Sequence, residues 1–304
     1  MITLLTGGTG GVKLLLGLAQ VVPQREIAVI VNTAEDMWLP HGYFSPDVDT
    51  VLYALSGMLD ESRWYGVAGD TFNTHRRLRE LGFDEYLNIG DTDRATHILR
   101  GELMRRGLTL EQATKRIAEA MGVDAEVLPM SNQPVRTVIR TPQGRMNLQE
   151  WLVKHGAKPE VLGVSYEGSG EGCPRCAEAV ESSEAVIIGP SNPVTSILPI
   201  LSLENIARAL RRARSRCVAV SPLVRGRPFS GPAHVLMRGA GIHPSSESIA
   251  RLYREYCSTF VVDTQDAGFE VEGLRVLKAP TLMSTREQRR RLAEFLLEVC
   301  GVAH

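Results

Sequence analysis

The stretch Leu5-Thr6-Gly7-Gly8-Thr9-Gly10-Gly11-Val12-Lys13 constrains this chain more than any other. An apolar run, residues 2–5, enters it, and a helical pattern over residues 13–22 leaves it. The glycines between carry no side chain that would block a close approach by a ligand. A strand, a glycine turn and a helix N-terminus in that order form an anion site, because free N–H groups and the positive end of the helix dipole converge there. Lys13 adds a full positive charge. The loop reads as a phosphate cradle; the plain alternative is a tight turn that packs a helix on a sheet. Walker A fails, since Val12-Lys13-Leu14 stands where Gly-Lys-Ser/Thr is needed. The dinucleotide fingerprint fails twice. Lys13 occupies the place of its third glycine, and the second apolar run, residues 27–31, ends in Asn32-Thr33 rather than an acid.

A strand, a helical pattern and a second strand make a βαβ unit, so the expected fold is α/β with a Rossmann-like parallel sheet. The 304 residues are read as a single α/β domain, with residues 51–125 as a mainly helical insertion covering the active site. Composition is that of an ordinary globular chain, 43% hydrophobic and 23% charged. A net charge of −1 gives no support for a nucleic-acid partner. No run approaches the ~20 apolar residues of a membrane span, and the sequence opens on a core strand rather than a signal peptide. Five cysteines without regular spacing suggest no disulfide framework. Cys173 and Cys176 have half a zinc spacing with no second pair, so zinc is not expected. These features point to a cytoplasmic protein.

The loop after residue 31 carries Glu35, Asp36, Asp47 and Asp49. Ligands in open α/β sheets bind beyond the carboxyl ends of strands. Carboxylates there, beside a phosphate, suit Mg²⁺, which prefers oxygen ligands and shares them with phosphate. The alternative is capping, by Ser45 or Asp47, of a helix over residues 50–59. Helical spacing recurs at 76–81, 97–106 and 110–121. Between the first two, Asn88 to His97 packs Gly90, Asp91, Asp93, Arg94 and His97 into a short loop. That loop reads as substrate-binding, although Asp91 or Asp93 alone would serve as an N-cap. Strands are expected at 127–129 and 135–140, and a strand or short helix at 146–153. Another strand, 185–188, runs into Gly189-Pro190-Ser191-Asn192-Pro193, whose hydroxyl and amide groups suit a phosphate or a base. Later strands are expected at 217–220, ending in Ser221-Pro222, and at 260–263.

Taken in order, these stretches resemble the 2-phospho-L-lactate transferases of coenzyme F-420 biosynthesis. The resemblance rests on Thr6 to Gly11 with Lys13, Asn32 to Asp36, Ser45 to Thr50, Gly90 to His97, Gly189 to Pro193 and Ser221-Pro222. It implies transfer of a phospholactyl or phosphoenolpyruvyl group from a guanosine diphosphate-linked donor to 7,8-didemethyl-8-hydroxy-5-deazariboflavin. GMP is released, Mg²⁺ is required, and a homodimer is implied. By the same resemblance Gly8, Thr9, Gly10, Gly11 and Lys13 hold the donor diphosphate. Ser191 and Asn192 meet its guanosine, and Asp36, Asp47 and Asp49 hold the metal. Asp47 and Asp49 are the catalytic candidates, and Asp49, Asn88 and Asp91 the deazaflavin contacts. Relatives often carry a basic residue where Asn88 and Thr92 stand. Replacing Asp49 by Asn is expected to abolish turnover in a folded protein. The rival reading is a nucleotide-sugar-binding regulatory protein of a related branch.

Overall fold

Seven short strands set the architecture of the computed structural model, which describes residues 1–168, 170–228 and 231–302. They are β1 (Ile2–Thr6), β2 (Ile27–Val31), β3 (Glu126–Pro129), β4 (Ala185–Ile188), β5 (Cys217–Val220), β6 (Thr259–Asp263) and β7 (Arg275–Ala279). All pair in parallel, in the order β7-β6-β5-β4-β1-β2-β3. Strands covered on both faces must be apolar at every position rather than at alternate ones. Ile27–Val31 is buried throughout, with Ala28 and Ile30 in the core on one face and Ile27, Val29 and Val31 in the core on the other.

The chain leaves β1 outward in one direction, through β2 and β3, and then returns to lay β4 on the other side of β1. The reversal opens a crevice at the carboxyl ends of β1 and β4, where such sheets bind ligands. Helix α1 (Gly8–Leu18) starts at that crevice and packs against the helix Arg286–Val299. The crossing is close enough that a Cβ on Gly17 would run into the Arg289 backbone. Helices Pro174–Ser182 and Glu204–Arg212 pack against each other, and their Cys176, Ala179, Val180, Ile206 and Leu210 join the core of the opposite face.

Helix α2 is Pro46–Ser56, four residues earlier at its start than the pattern suggested. Asp47 and Asp49 therefore lie in its first turn, and neither Ser45 nor any other side chain caps it. Helix α3 is Asn73–Glu80, α4 is Asp91–Arg105 and α5 is Leu110–Ala120. The N-cap of α4 is Gly90, so neither Asp91 nor Asp93 has that role. The caps are exchanged instead. Asp70 accepts from Thr92 N (2.9 Å) and Asp93 N (3.0 Å) of α4, and Asp91 accepts from Asn73 N and Thr74 N (both 2.9 Å) of α3. A remote carboxylate extends α4 six residues beyond its apolar pattern.

Residues 146–153 are strand and helix in series. Gly144–Asn147 pairs with Val135–Thr141, and a π-helical turn, Glu150–Lys154, follows. Gly163–Gly168 adds the third strand of this antiparallel sheet. No helix is long and apolar enough, among the described residues, to cross a membrane.

Candidate functional site

Two cavities, each about 370 Å³, open beside the β1–β4 crevice. Gly8, Thr9, Glu35, Asp47, Tyr65 and Leu152 line both, so the two meet at the start of α1. The first has aromatic walls: Phe44, Tyr53, Trp64, Tyr65 and Tyr86, with Asn88 and Asp49 among them. The second runs along the β4 side, past Gly7, Gly10, Pro190, Asn192, Thr195 and Ser196 to Pro222, Pro228 and Gly231-Pro232.

The glycine loop divides its labour. Gly8 has φ +63°, and a Cβ there would meet open space, so its backbone faces the cavities. Gly10 and Gly11 serve packing: a Cβ would strike the Pro190 carbonyl in one case and the Thr6 and Ser191 hydroxyls in the other. Gly11 lines neither cavity, and Ser191 Oγ is buried, accepting from Gly7 N at 3.3 Å. Asn192 Oδ1 accepts from Val194 N (3.0 Å) and Thr195 N (3.4 Å), which caps the turn after β4 and leaves Asn192 on the cavity wall. Lys13 lines neither cavity. Its ammonium lies over the Trp64 ring, 4.6 Å from the centroid, and the Arg289 guanidinium lies at the same distance from that ring. Burial, and then Arg289, lower its pKa.

Four carboxylates follow β2, and their surroundings differ. Asp47 accepts from Gly8 N on one oxygen and Asn32 Nδ2 on the other, both at 2.9 Å. Burial raises its pKa, against those two hydrogen bonds. Glu35 accepts from Gln149 Nε2 at 2.8 Å, and burial followed by the Asp47 charge raises its pKa well above the carboxylate range. Among the described residues the hydrogen-bond donors to both carboxyls are neutral groups. Asp36 accepts from Ser45 Oγ at 2.6 Å, keeps Oδ1 buried without a partner, and lines neither cavity. Its pKa is pushed well up by burial.

Asp49 is neutralised. The fully buried Arg100 of α4 grips both of its oxygens, and His97 Nε2 stands 3.2 Å from Asp49 and 3.1 Å from Asp93. Burial pushes Asp49 up, but Arg100 and His97 outweigh it and its pKa falls. Burial likewise works against the His97 cation, yet Asp49 and Asp93 raise its pKa to about 9.

The structure thus gathers Gly8, Thr9, Gly10, Asp47, Asp49, Asn88 and Asn192 at the cavities. Asp91 lines neither of them; it caps α3. Asp36, Asp47 and Asp49 do not converge on one point: among the described residues, the one group of three possible ligands within 4.8 Å is Asp49, Asp93 and His97. Oxygen donors without a cationic partner do fit a divalent ion at Glu35 and Asp47. Arg100, Gln149 and the aromatic wall were missed from sequence. A counter-ion for Asp49 had a signal, since an acid inside an apolar helix turn demands a buried partner, but nothing singled out Arg100. The aromatics are scattered over residues 44–86 and had none.

The sequence matches the family 2-phospho-L-lactate transferase CofD over residues 2–281. A protein of Methanosarcina acetivorans called 2-phospho-L-lactate transferase is 46% identical over 301 residues, 97% of each chain. One of Methanocaldococcus jannaschii with the same name is 43% identical over 308 residues, covering 99% of this chain and 98% of its own. Among solved structures, a UPF0052 family protein of Bacillus halodurans superposes with a TM-score of 0.61 at 17% identity, covering 97% of this chain and 98% of that one, which establishes a shared fold.

Proposed function

Because the chain belongs to the 2-phospho-L-lactate transferase family and is a transferase, we propose that it carries a phospholactyl or phosphoenolpyruvyl group from a guanosine diphosphate-linked donor to the ribityl hydroxyl of 7,8-didemethyl-8-hydroxy-5-deazariboflavin, releasing GMP in F-420 biosynthesis. The observation that carries the reading is the junction of two unlike cavities at Gly8, Thr9, Glu35 and Asp47. The aromatic arm suits a planar deazaflavin, which stacks on ring faces. The β4 arm, at the topological switch point, suits a nucleotide. A hydroxyl from one arm and a diphosphate from the other meet at the N-terminus of α1, whose dipole favours the phosphate charge. Such transfers depend on positioning and charge stabilisation more than on covalent catalysis.

Mg²⁺ would be held by Glu35 and Asp47, and its chemistry is to neutralise diphosphate charge during displacement. Gly8 N and Asn32 hold Asp47 in place, and Gln149 does so for Glu35. Asp49, matched by Arg100, shapes the floor of the acceptor arm. Lys13 acts on that arm through Trp64.

The test mixes the protein with deazaflavin, Mg²⁺ and each candidate guanylylated donor, and follows products by mass spectrometry. A phosphodiester-linked deazaflavin with GMP is expected, and the preferred donor names the acid. Asp47→Asn, which keeps an acceptor for Gly8 N, is expected to lower turnover by about 100-fold or more with deazaflavin still bound. No product with any donor, and no deazaflavin binding, would overturn the proposal in favour of a nucleotide-binding regulator.

A further inference from the structure

Cys173-Pro174-Arg175-Cys176 lies outside the cavities described above and is built differently from the other cysteines. Cys173 is the N-cap of the helix Pro174–Ser182, and Cys176 stands one turn in, its N–H bonded to the Cys173 carbonyl at 3.0 Å. The Cys176 thiol donates to the Pro129 carbonyl at 3.4 Å. The Cys173 thiol donates to Glu111 Oε2 at 2.8 Å, and Asn132 Nδ2 donates to the Cys173 sulfur at 2.9 Å. Asn132 Oδ1 in turn accepts from Glu111 N at 2.9 Å, so base and amide are fixed together. Cys173 forms a wall of a separate surface cavity of about 400 Å³, with Ser131, Asn132 and Gly170 to Gly172. Cys217 and Cys257 are as deeply buried as Cys173, but neither forms a wall of these cavities.

A thiol needs three things to react with a small oxidant: a proton acceptor, stabilisation of the thiolate, and a second thiol to resolve the product. Glu111, Asn132 with the helix N-terminus, and Cys176 supply them. We propose that Cys173 and Cys176 are a peroxide-reactive dithiol site that closes to a disulfide. The Cys173 proton passes to Glu111, and the thiolate attacks one peroxide oxygen. The O–O bond breaks, and the departing hydroxide leaves as water with the proton from Glu111. The Cys176 sulfur then attacks the sulfenic sulfur of Cys173. The S–O bond breaks, and that hydroxide leaves as a second water with the Cys176 proton. Two thiols lose two electrons, and one hydrogen peroxide becomes two waters.

The experiment treats the folded full-length chain with hydrogen peroxide and maps all five cysteines by peptide mass spectrometry. A mass loss of about 2 Da, located in a linked Cys173–Cys176 peptide, is expected before Cys217, Cys257 or Cys300 is modified, and a thiol reductant should reverse it. Cys176→Ser should stop at a sulfenic acid on Cys173 that dimedone traps. Glu111→Gln, folded by circular dichroism, should slow the reaction by about tenfold or more. Oxidation of another cysteine first, or five intact thiols under conditions that oxidise free cysteine, would overturn the proposal. Neither result bears on the transferase reading, which the product assay decides.

Discussion

Asp47 and Asp49 are two residues apart on α2 and meet opposite electrostatics. Asp47 faces the cavities with hydrogen bonds alone, whereas Asp49 shares a buried guanidinium. Removing one partner of a buried pair strands the other, at a cost of about 3–5 kcal/mol. Asp49→Asn is therefore expected to lower stability by that order in chemical denaturation, so lost turnover in this variant would not report on chemistry alone. The sign follows from its lowered pKa: the contribution of Asp49 is present above the unfolded value of 3.8 and is lost as pH falls. The wild type should lose stability toward acid more steeply than Asp49→Asn does. Glu35 behaves oppositely. Its raised pKa means that folding favours the protonated form, a contribution lost as pH rises through its folded pKa. Glu35→Gln, which removes the cost of ionising a buried carboxyl and keeps an acceptor for Gln149, should raise stability by about 1 kcal/mol while turnover falls. Millimolar Mg²⁺ should raise the melting temperature of the wild type but not of Glu35→Gln; an equal rise in both would remove Glu35 from the proposed metal site.

At the scale of elements, α3 and α4 hold each other's first turns through Asp91 and Asp70. Loss of such a cap costs about 1 kcal/mol. Asp70→Ala should lower stability by that amount and increase amide exchange at Thr92 and Asp93, with the sheet unaffected. The same exchange explains how far the elements were legible. The apolar runs at 2–5, 27–31 and 185–188 announced buried parallel strands, because burial on both faces leaves no choice of residue type. The start of α4 was hidden, since its cap comes from position 70, twenty-one residues upstream of Asp91. Strand β7 was hidden too: it is an edge strand with exposed and half-buried positions in Arg275-Val276-Leu277-Lys278, so it lacks the unbroken apolar run. The place of Asp47 at the crevice was legible from its loop, but the partner of Asp49 was not, because the Arg100 contact spans 51 residues.

The whole molecule brings two cavities to one crevice and keeps their walls chemically distinct. A change confined to one arm should leave the other intact. Asn192→Asp preserves the cap, since either side chain serves, but sets a negative charge on the nucleotide arm. GDP affinity, read by calorimetry, should fall by about tenfold, while deazaflavin affinity stays unchanged. Equal loss of both would mean that the arms are not separate. Lys13 of α1, the loop bearing Trp64 and Arg289 of the C-terminal helix converge on a single indole, which is itself a wall of the aromatic cavity. Of the three tryptophans, Trp151 is sealed in the core and Trp38 stands half in solvent. On the proposed reading Trp64 alone of the three would touch the deazaflavin, so the chain would carry an optical gauge of acceptor arrival, with two cations already over the same ring.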